Sequence, residues 1–486
     1  MKVSSAAAPS TVAYSESAAT HVAVSRTDIL TQATATIECD FARRCPQSLL
    51  LHKRAMEVFP GGVTHDNRRV AGPSHFIRKA AGARKTDQDG NRYIDYWVGH
   101  GALILGHRRK EVLEAIHLAA QDCTHPGACH EREIVWAEHV QSLIPTAERV
   151  RFTASGSESS ALAIRLARGW TGKKVIVKFE GHFHGWLDHA VEAIDLPFET
   201  PWSAGVPEEV RSMSCVLPAN DLNRVEALLK KRKDIAGIIL EPTGASGGTV
   251  PVKPEFLKGL RALSTKYGVA LIFDEVITGF RVSPGGAQEK YGVLPDLTCL
   301  AKVLAGGLAG GAVCGTRDAF SAMEFSGDAK RDRVTRVAQY GTFNANPVSA
   351  AAGAATLALI KDGEVCAKAD AYAAKLKASL NAIFRREGLP WAAYGVSSVF
   401  HILTSDPCTA QPLRDGKLDA ATIDPVILKQ KGELDSLLRR ALLLEGIDLP
   451  PGRQAWVSAV HRDEELAETC DAFTRAIGRL RELRCL

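Results

Sequence analysis

The 486-residue sequence has no stretch approaching the ~20 consecutive apolar residues that a bilayer-crossing helix needs. It has no block of like charge either. Sixty Lys+Arg against 55 Asp+Glu leave a formal net charge of +5, spread along the chain. That balance points away from nucleic acid and from anionic membranes as partners. No G-x-G-x-x-G stands between a strand pattern and a helix with an acid at the usual distance, so a nicotinamide dehydrogenase is not expected. The cysteines number 11, odd and irregularly spaced in a long chain, unlike the disulfide framework of a short secreted domain. Reduced thiols are the expectation. Cys123, His125, Cys129 and His130 lie close together, but their spacing matches no standard zinc finger or ribbon, so no metal is expected there. The opening MKVSSAAAPSTVAYSESAAT lacks the apolar core of a signal peptide and the arginines of a transit peptide, which points to the cytoplasm.

What is present has the balance of a soluble globular protein, 45% apolar and 24% charged, at a length that exceeds a single core. The Ala-, Ser- and Thr-rich start reads as a disordered tail over residues 1–45. From Pro46 the period becomes helical (QSLLLHKRAMEVF) and stops at Pro60-Gly61-Gly62. Short alternating runs flank Asp89-Gly90-Asn91, a hairpin signal. The middle then alternates short apolar runs with longer amphipathic ones: VRFTAS, SESSALAIRLARGW, KKVIVKF, IAGIILEP, LKGLRALSTKYG, VALIFDEV. Such alternation predicts a parallel sheet covered by helices. After Asn346 it weakens into helical stretches and an α+β segment.

Three pieces carry chemistry. Asp274 ends VALIFDE, a continuous apolar run of the kind found in a buried parallel strand. Ligands of open α/β sheets gather at strand carboxyl ends, although an acid there can equally cap the next helix. Lys302 has apolar neighbours and a glycine-rich, nearly uncharged run after it. Desolvation in such surroundings lowers an amine's pKa and frees it as a nucleophile, whereas a lysine before a flexible loop would look much the same. Ser155-Gly156-Ser157 stands between a strand and a helix, where free N–H groups and the helix dipole suit a phosphate; an ordinary N-cap fits equally. Taken together, a phosphate cradle, a carboxylate for a pyridinium nitrogen and an imine-forming lysine specify pyridoxal phosphate.

The runs LIFDEVITGFR, LAKVLAGGLAGGAV, ASGSES, GHFHGW, ILEP and GTFNANP resemble class III aminotransferases of PLP fold type I. FPGGVTHDNR and DGNRYIDYWVGHGALILGH resemble most the glutamate-1-semialdehyde aminomutase branch, and the likeness runs from about residue 50 to the end. The resemblance implies an α/β fold: a large domain with a mostly parallel seven-stranded sheet between helices, plus a smaller α+β domain. Residues 101–345 would form the large domain, 46–100 an N-terminal segment joining the small one, and 346–486 the C-terminal small domain. It also implies that Lys302 is the Schiff-base lysine and Asp274 the partner of the pyridinium nitrogen. Phe183 would stack on the cofactor ring, where the branch usually has Tyr, with Val276 on the opposite face. Ser155, Gly156 and Ser157 would hold the phosphate, His184 and Glu241 would line the cofactor, and Thr342 would reach the phosphate of a second subunit. That makes a homodimer with shared sites the expected assembly.

On the substrate side, Arg68 matches the arginine that grips a carboxylate, a role guanidinium suits, although beside Arg69 it can equally be a surface residue. His65 is near enough to share that role. Gly99-His100-Gly101 replaces the Ser-Trp-Gly of the aminomutases, and Gln454 stands where an acidic gate is expected, next to Arg453, a further substrate-side candidate with His100. These departures fall on substrate-facing positions and leave the cofactor chemistry intact. The expected activity is transfer of an amino group from a carboxylate-bearing β- or ω-amino donor to an α-keto acid. The alternative is an aminomutase-type isomerase.

Overall fold

The computed structural model describes residues 25–70, 72–404, 418, 420–452 and 454–486. Seven strands build the main sheet: β1 (Arg149–Thr153), β2 (Val175–Phe179), β3 (Ser214–Leu217), β4 (Ile235–Leu240), β5 (Ala270–Asp274), β6 (Leu297–Ala301) and β7 (Gly311–Gly315). Their spatial order is β1-β7-β6-β5-β4-β2-β3. All run parallel except β7, which lies antiparallel to both of its neighbours.

Both faces of this sheet are covered, which explains strands that are apolar without alternation. Ile176, Ile239 and Ile272 pack against Leu162, Ala163 and Leu166 of the helix Gly156–Thr171. On the opposite face Val177, Ile238, Leu271 and Phe273 meet Phe256, Leu257 and Leu260 of the helix Pro254–Tyr267. Pleating sends Ile272 and Phe273 to opposite sides, so one run of sequence feeds two cores.

Two smaller sheets accompany the main sheet among the described residues. Ile77–Ala81, Arg84–Asp87 and Arg92–Asp95 form an antiparallel meander, the expected hairpin included, and Ile447–Asp448 joins its last strand in parallel. The N-terminal and C-terminal parts of the chain therefore share one sheet. Ala392–Tyr394, Val399–Leu403 and Gln454–Trp456 make the third sheet. Beneath the first of these sheets a buried charge network sets the course of the chain. Lys85 Nζ lies 2.9 Å from Asp95 and 2.6 Å from Asp448. Asp95 accepts from the backbone N–H of Trp97 and Val98, and Asp448 accepts from the Trp97 indole. The Lys85 ammonium keeps both acids anionic against the cost of burial, holding Asp95 at about 2 and Asp448 lower still.

One expectation is corrected. Residues 1–45 do not form a tail throughout, because Arg26–Arg44 is a helix, capped by Ser25, with Leu30, Ala33, Ile37 and Phe41 buried in the main core. The small-residue composition concealed an apolar residue every three or four positions, and that stripe packs on the helix Glu433–Leu444, some 400 residues downstream in the chain. Arg440 lies over the Phe41 ring, 4.5 Å from its centroid, and donates to Pro73 O.

Phe41 is 1% exposed, so Phe41→Ala opens a cavity under this helix. The expected loss is about 3–5 kcal/mol, measured by urea unfolding with cofactor present.

Candidate active site

The carboxyl ends of the parallel strands converge on one cleft. Cys299 of β6 stands opposite Asp274 of β5, so Asp274 and Lys302, which directly follows β6, emerge at the same edge. Glu241 directly follows β4, the GHFHG loop follows β2, and Ser155-Gly156-Ser157 follows β1. Lys302 sits at φ 54°, in the left-handed region. Val98 (47°), His100 (57°) and Ser246 (52°) share that strain around the cleft. Each costs about 1–2 kcal/mol, a cost typically met where backbone is held for function.

Asp274 is buried and doubly held. Its Oδ2 lies 2.7 Å from His184 Nδ1, and its Oδ1 accepts from Val276 N at 3.1 Å. A carboxylate only accepts here, so the proton lies on His184 Nδ1. Glu241, also buried, accepts from three backbone amides: Phe183 N (2.9 Å), Ser246 N (2.9 Å) and Gly247 N (2.8 Å). Burial, and then Asp274, raise its pKa, while His184 and these amides oppose the rise. Burial lowers the pKa of the Lys302 ammonium, Asp274 and Glu241 pull it back up, and Arg281 pushes it down again. The balance leaves Lys302 below an ordinary lysine.

The phosphate turn is built from bare backbone. Ser155 Oγ caps the helix, accepting from Glu158 N at 3.2 Å, which leaves its O–H free to donate to a phosphate. The first-turn amides of Gly156 and Ser157 have no intrahelical acceptor. A Cβ on Gly156 would stand 3.1 Å from the Val276 methyls, and one on Gly185 would stand 2.5 Å from Ser157 Oγ. Glycine at 156 and 185 thus lets three loops close around the turn. This donor set fits pyridoxal phosphate: an anion site at a helix start, a buried acid and a desolvated amine on one sheet edge.

The substrate-side residues also gather. His65 stacks on His100 with ring centroids 5.1 Å apart, and Trp97 meets His100 edge-on at 5.0 Å. Both imidazoles feel the charges of Lys302 and Arg68. Burial, with these cations, pushes His100 down to about 4 and lowers His65, so at neutral pH they present uncharged rings. Arg68 is exposed and donates to Thr64 Oγ1 at 2.9 Å. Phe183 is 44% exposed, its ring edge-on to Trp202. Thr342 is exposed as well, and its segment rests on another part of the chain: Asn346 donates to Thr124 O, and Phe343 lies beside His125. Arg453 lies outside the described residues. Gln454 points its buried Nε2 at Gly247, with no hydrogen-bond partner among the described residues.

Within the cysteine–histidine cluster, one histidine has a structural part. His130 caps the helix Glu131–Leu143 through Nδ1, and its Nε2 lies 2.9 Å from Ala345 O. Sequence reasoning missed Arg281 and the Lys85 network. A charged residue inside the otherwise uncharged run VITGFRVSPGG was the available signal for Arg281.

Residues 66–389 match the family model described as Aminotransferase class-III. The chain belongs to that family. Its cofactor is pyridoxal phosphate, and its architecture is fold type I, a large, mostly parallel seven-stranded sheet with a smaller sheet domain. Among curated relatives, glutamate-1-semialdehyde 2,1-aminomutase of Aquifex aeolicus is 37% identical over 439 residues, 88% of this chain and 99% of the relative. Among solved structures, an omega-transaminase from Sphaerobacter thermophilus superposes with a TM-score of 0.81 at 31% identity, covering 89% of this chain and 98% of that one. A transaminase solved with PLP bound gives 0.80 at 30% identity, covering 90% and 99%.

Gly185 has φ +92°, and an added Cβ would also meet the Ser157 backbone at 2.8 Å. Gly185→Ala is expected to weaken cofactor binding roughly tenfold, read by absorbance titration of the apoenzyme with pyridoxal phosphate.

Proposed function

We propose that this enzyme transfers an amino group from a carboxylate-bearing β- or ω-amino donor to an α-keto acid. One observation carries the reading. Near Lys302 a neutral imidazole pair, His65 and His100, stacks beside Arg68, with His100 in the Gly-His-Gly that replaces the Ser-Trp-Gly of the resembling aminomutases. Arg68 supplies one cation for a carboxylate, in a fork suited to its two oxygens. The imidazoles supply flat surface and hydrogen-bonding atoms without further charge, which suits an uncharged substituent on the donor.

Bound pyridoxal phosphate supplies an aldehyde carbon and an electron-withdrawing ring. Lys302 Nζ is the base that takes the proton from the carbon bearing the donor's amino group, and the acid that returns it nearby. One amine serves both steps because it is already within reach. Asp274, oriented by His184 Nδ1 and Val276 N, would hold the ring nitrogen of the bound cofactor. The amides of Gly156 and Ser157 hold the phosphate, and Phe183 and Val276 enclose the ring. Thr342 completes the phosphate site of a second copy, which makes the working unit a homodimer. Support for that assembly is the exposure of Thr342 together with its flanking Tyr340 (91%) and Phe343 (63%), apolar surface in need of cover.

A second reading, the aminomutase, is favoured by the names of the curated relatives, whose identity to this chain exceeds that of the transaminase structures. In that case one molecule gives and receives the amino group and no separate keto acid is consumed. Incubation with a β-amino acid panel and 2-oxoglutarate or pyruvate separates the two. Stoichiometric amination of the added keto acid is the expected result; isomerisation of glutamate-1-semialdehyde without it would overturn the transferase. Lys302→Ala is expected to retain the cofactor and lose transfer by at least 10³-fold.

The acid limb of the rate profile follows Lys302 losing its proton, and lies below ordinary lysine because burial lowers that pKa. Glu241 raises it. Glu241→Gln removes that anion, so the limb is expected to move to lower pH in the kcat profile.

A further inference from the structure

Arg281 is fully buried, yet no carboxylate pairs with it among the described residues. Its guanidinium donates to three neutral oxygens on three separate segments: Ser398 Oγ at 3.0 Å, Val457 O at 2.9 Å and Gly101 O at 2.6 Å. Burial lowers its pKa to about 10, so it stays cationic at neutral pH. A buried cation satisfied only by neutral acceptors is expensive, and an apolar residue of similar volume would fill the same space more cheaply. The three acceptors show what the charge does. Gly101 follows His100 directly. Ser398 and Val457 lie beside the paired strands Val399–Leu403 and Gln454–Trp456 of the third sheet, joined by Val457 N donating to Ser398 O. Arg281 itself lies in the turns that follow β5, seven residues beyond Asp274.

We infer that Arg281 is a positioning residue that pins the His100 turn to the third sheet and to the Asp274 segment, and so fixes the wall against which a substrate carboxylate is held. The inference rests on the reading of Arg68, His65 and His100 as the substrate pocket. Local amides hold the start of the turn, Gly101 N donating to Trp97 O and Val98 O, but it is Arg281 that ties its Gly101 carbonyl to the third sheet. His100 is in the left-handed region, and Gly101, at φ 87°, lies so close to Trp456 that an added Cβ would stand 2.8 Å from its indole nitrogen. Trp456 N in turn donates to Tyr96 O at 3.0 Å. Strain at His100 persists because the Gly101 carbonyl is held on one side by Arg281 and the turn is blocked on the other by Trp456. Only a flat donor with several N–H vectors spans three acceptors at once, which an ammonium on a flexible stem does poorly.

The test uses holoenzyme and propionate, a carboxylate that carries no amine, with affinity measured by calorimetry. Arg281→Lys is expected to weaken propionate about tenfold while the absorbance of the bound cofactor is unchanged. Ser398→Ala, which keeps the charge and removes one acceptor, is expected to weaken it two- to threefold. In a His100→Ala background the effect of Arg281→Lys should vanish, an outcome that a general packing defect would not give. Propionate affinity within twofold of the unaltered enzyme in Arg281→Lys, or an equal loss with and without His100, overturns the inference. An unaltered holoenzyme that takes up cofactor but binds no propionate would sink the pocket reading itself, and the inference with it.

Discussion

The site depends on two parallel strands ending in register, one with an acid and the next with an amine. Asp274 is buried; Lys302 is an amine whose charged form is disfavoured by burial and favoured by that acid. Neither charge is tolerable alone in such surroundings. Their common edge makes each the other's compensation, and the opposing pulls of burial, Asp274, Glu241 and Arg281 leave the amine below its ordinary pKa but still responsive. Everything else near the cleft holds this pair. His184 and Val276 fix the carboxylate, and Glu241 gathers the amides of the Phe183 and Ser246–Gly247 loops.

A second buried electrostatic unit frames the opposite wall. The Lys85–Asp95–Asp448 network fixes Trp97 through its indole and its backbone, and Trp97 meets His100 edge-on. Arg281 fixes the far side of the same short turn. Thus the strained backbone from Val98 to Gly101 is clamped at both ends by charges that never reach solvent. Pre-organisation of this kind keeps a carboxylate-binding wall in place without the substrate doing the work.

Some of this was legible in the residues. Continuous apolar strands, the helical periods and the hairpin at Asp89-Gly90-Asn91 each follow from local chemistry, and the structure contains all of them. So did the grouping of Asp274, Lys302, Glu241 and the Ser155–Ser157 turn, because strand-then-helix connections deliver residues to one edge of a parallel sheet. The helix Arg26–Arg44 was not legible, since an Ala- and Thr-rich composition hides a stripe whose partner lies some 400 residues away. Arg281 stood out only as one charge inside an uncharged run, which did not say what it would bond. Nothing local distinguishes a solvated arginine from one satisfied by three distant carbonyl and hydroxyl oxygens.

The sequence by itself determined the sheet's strand type, the cofactor chemistry and the family, because those reside in short runs whose period and residue types are self-contained. Tertiary structure alone decided which charges are paired and which rings stay neutral. It is burial that pushes His100 down to about 4 and lowers the Arg281 guanidinium to about 10, and burial is a property of segments far apart in the chain.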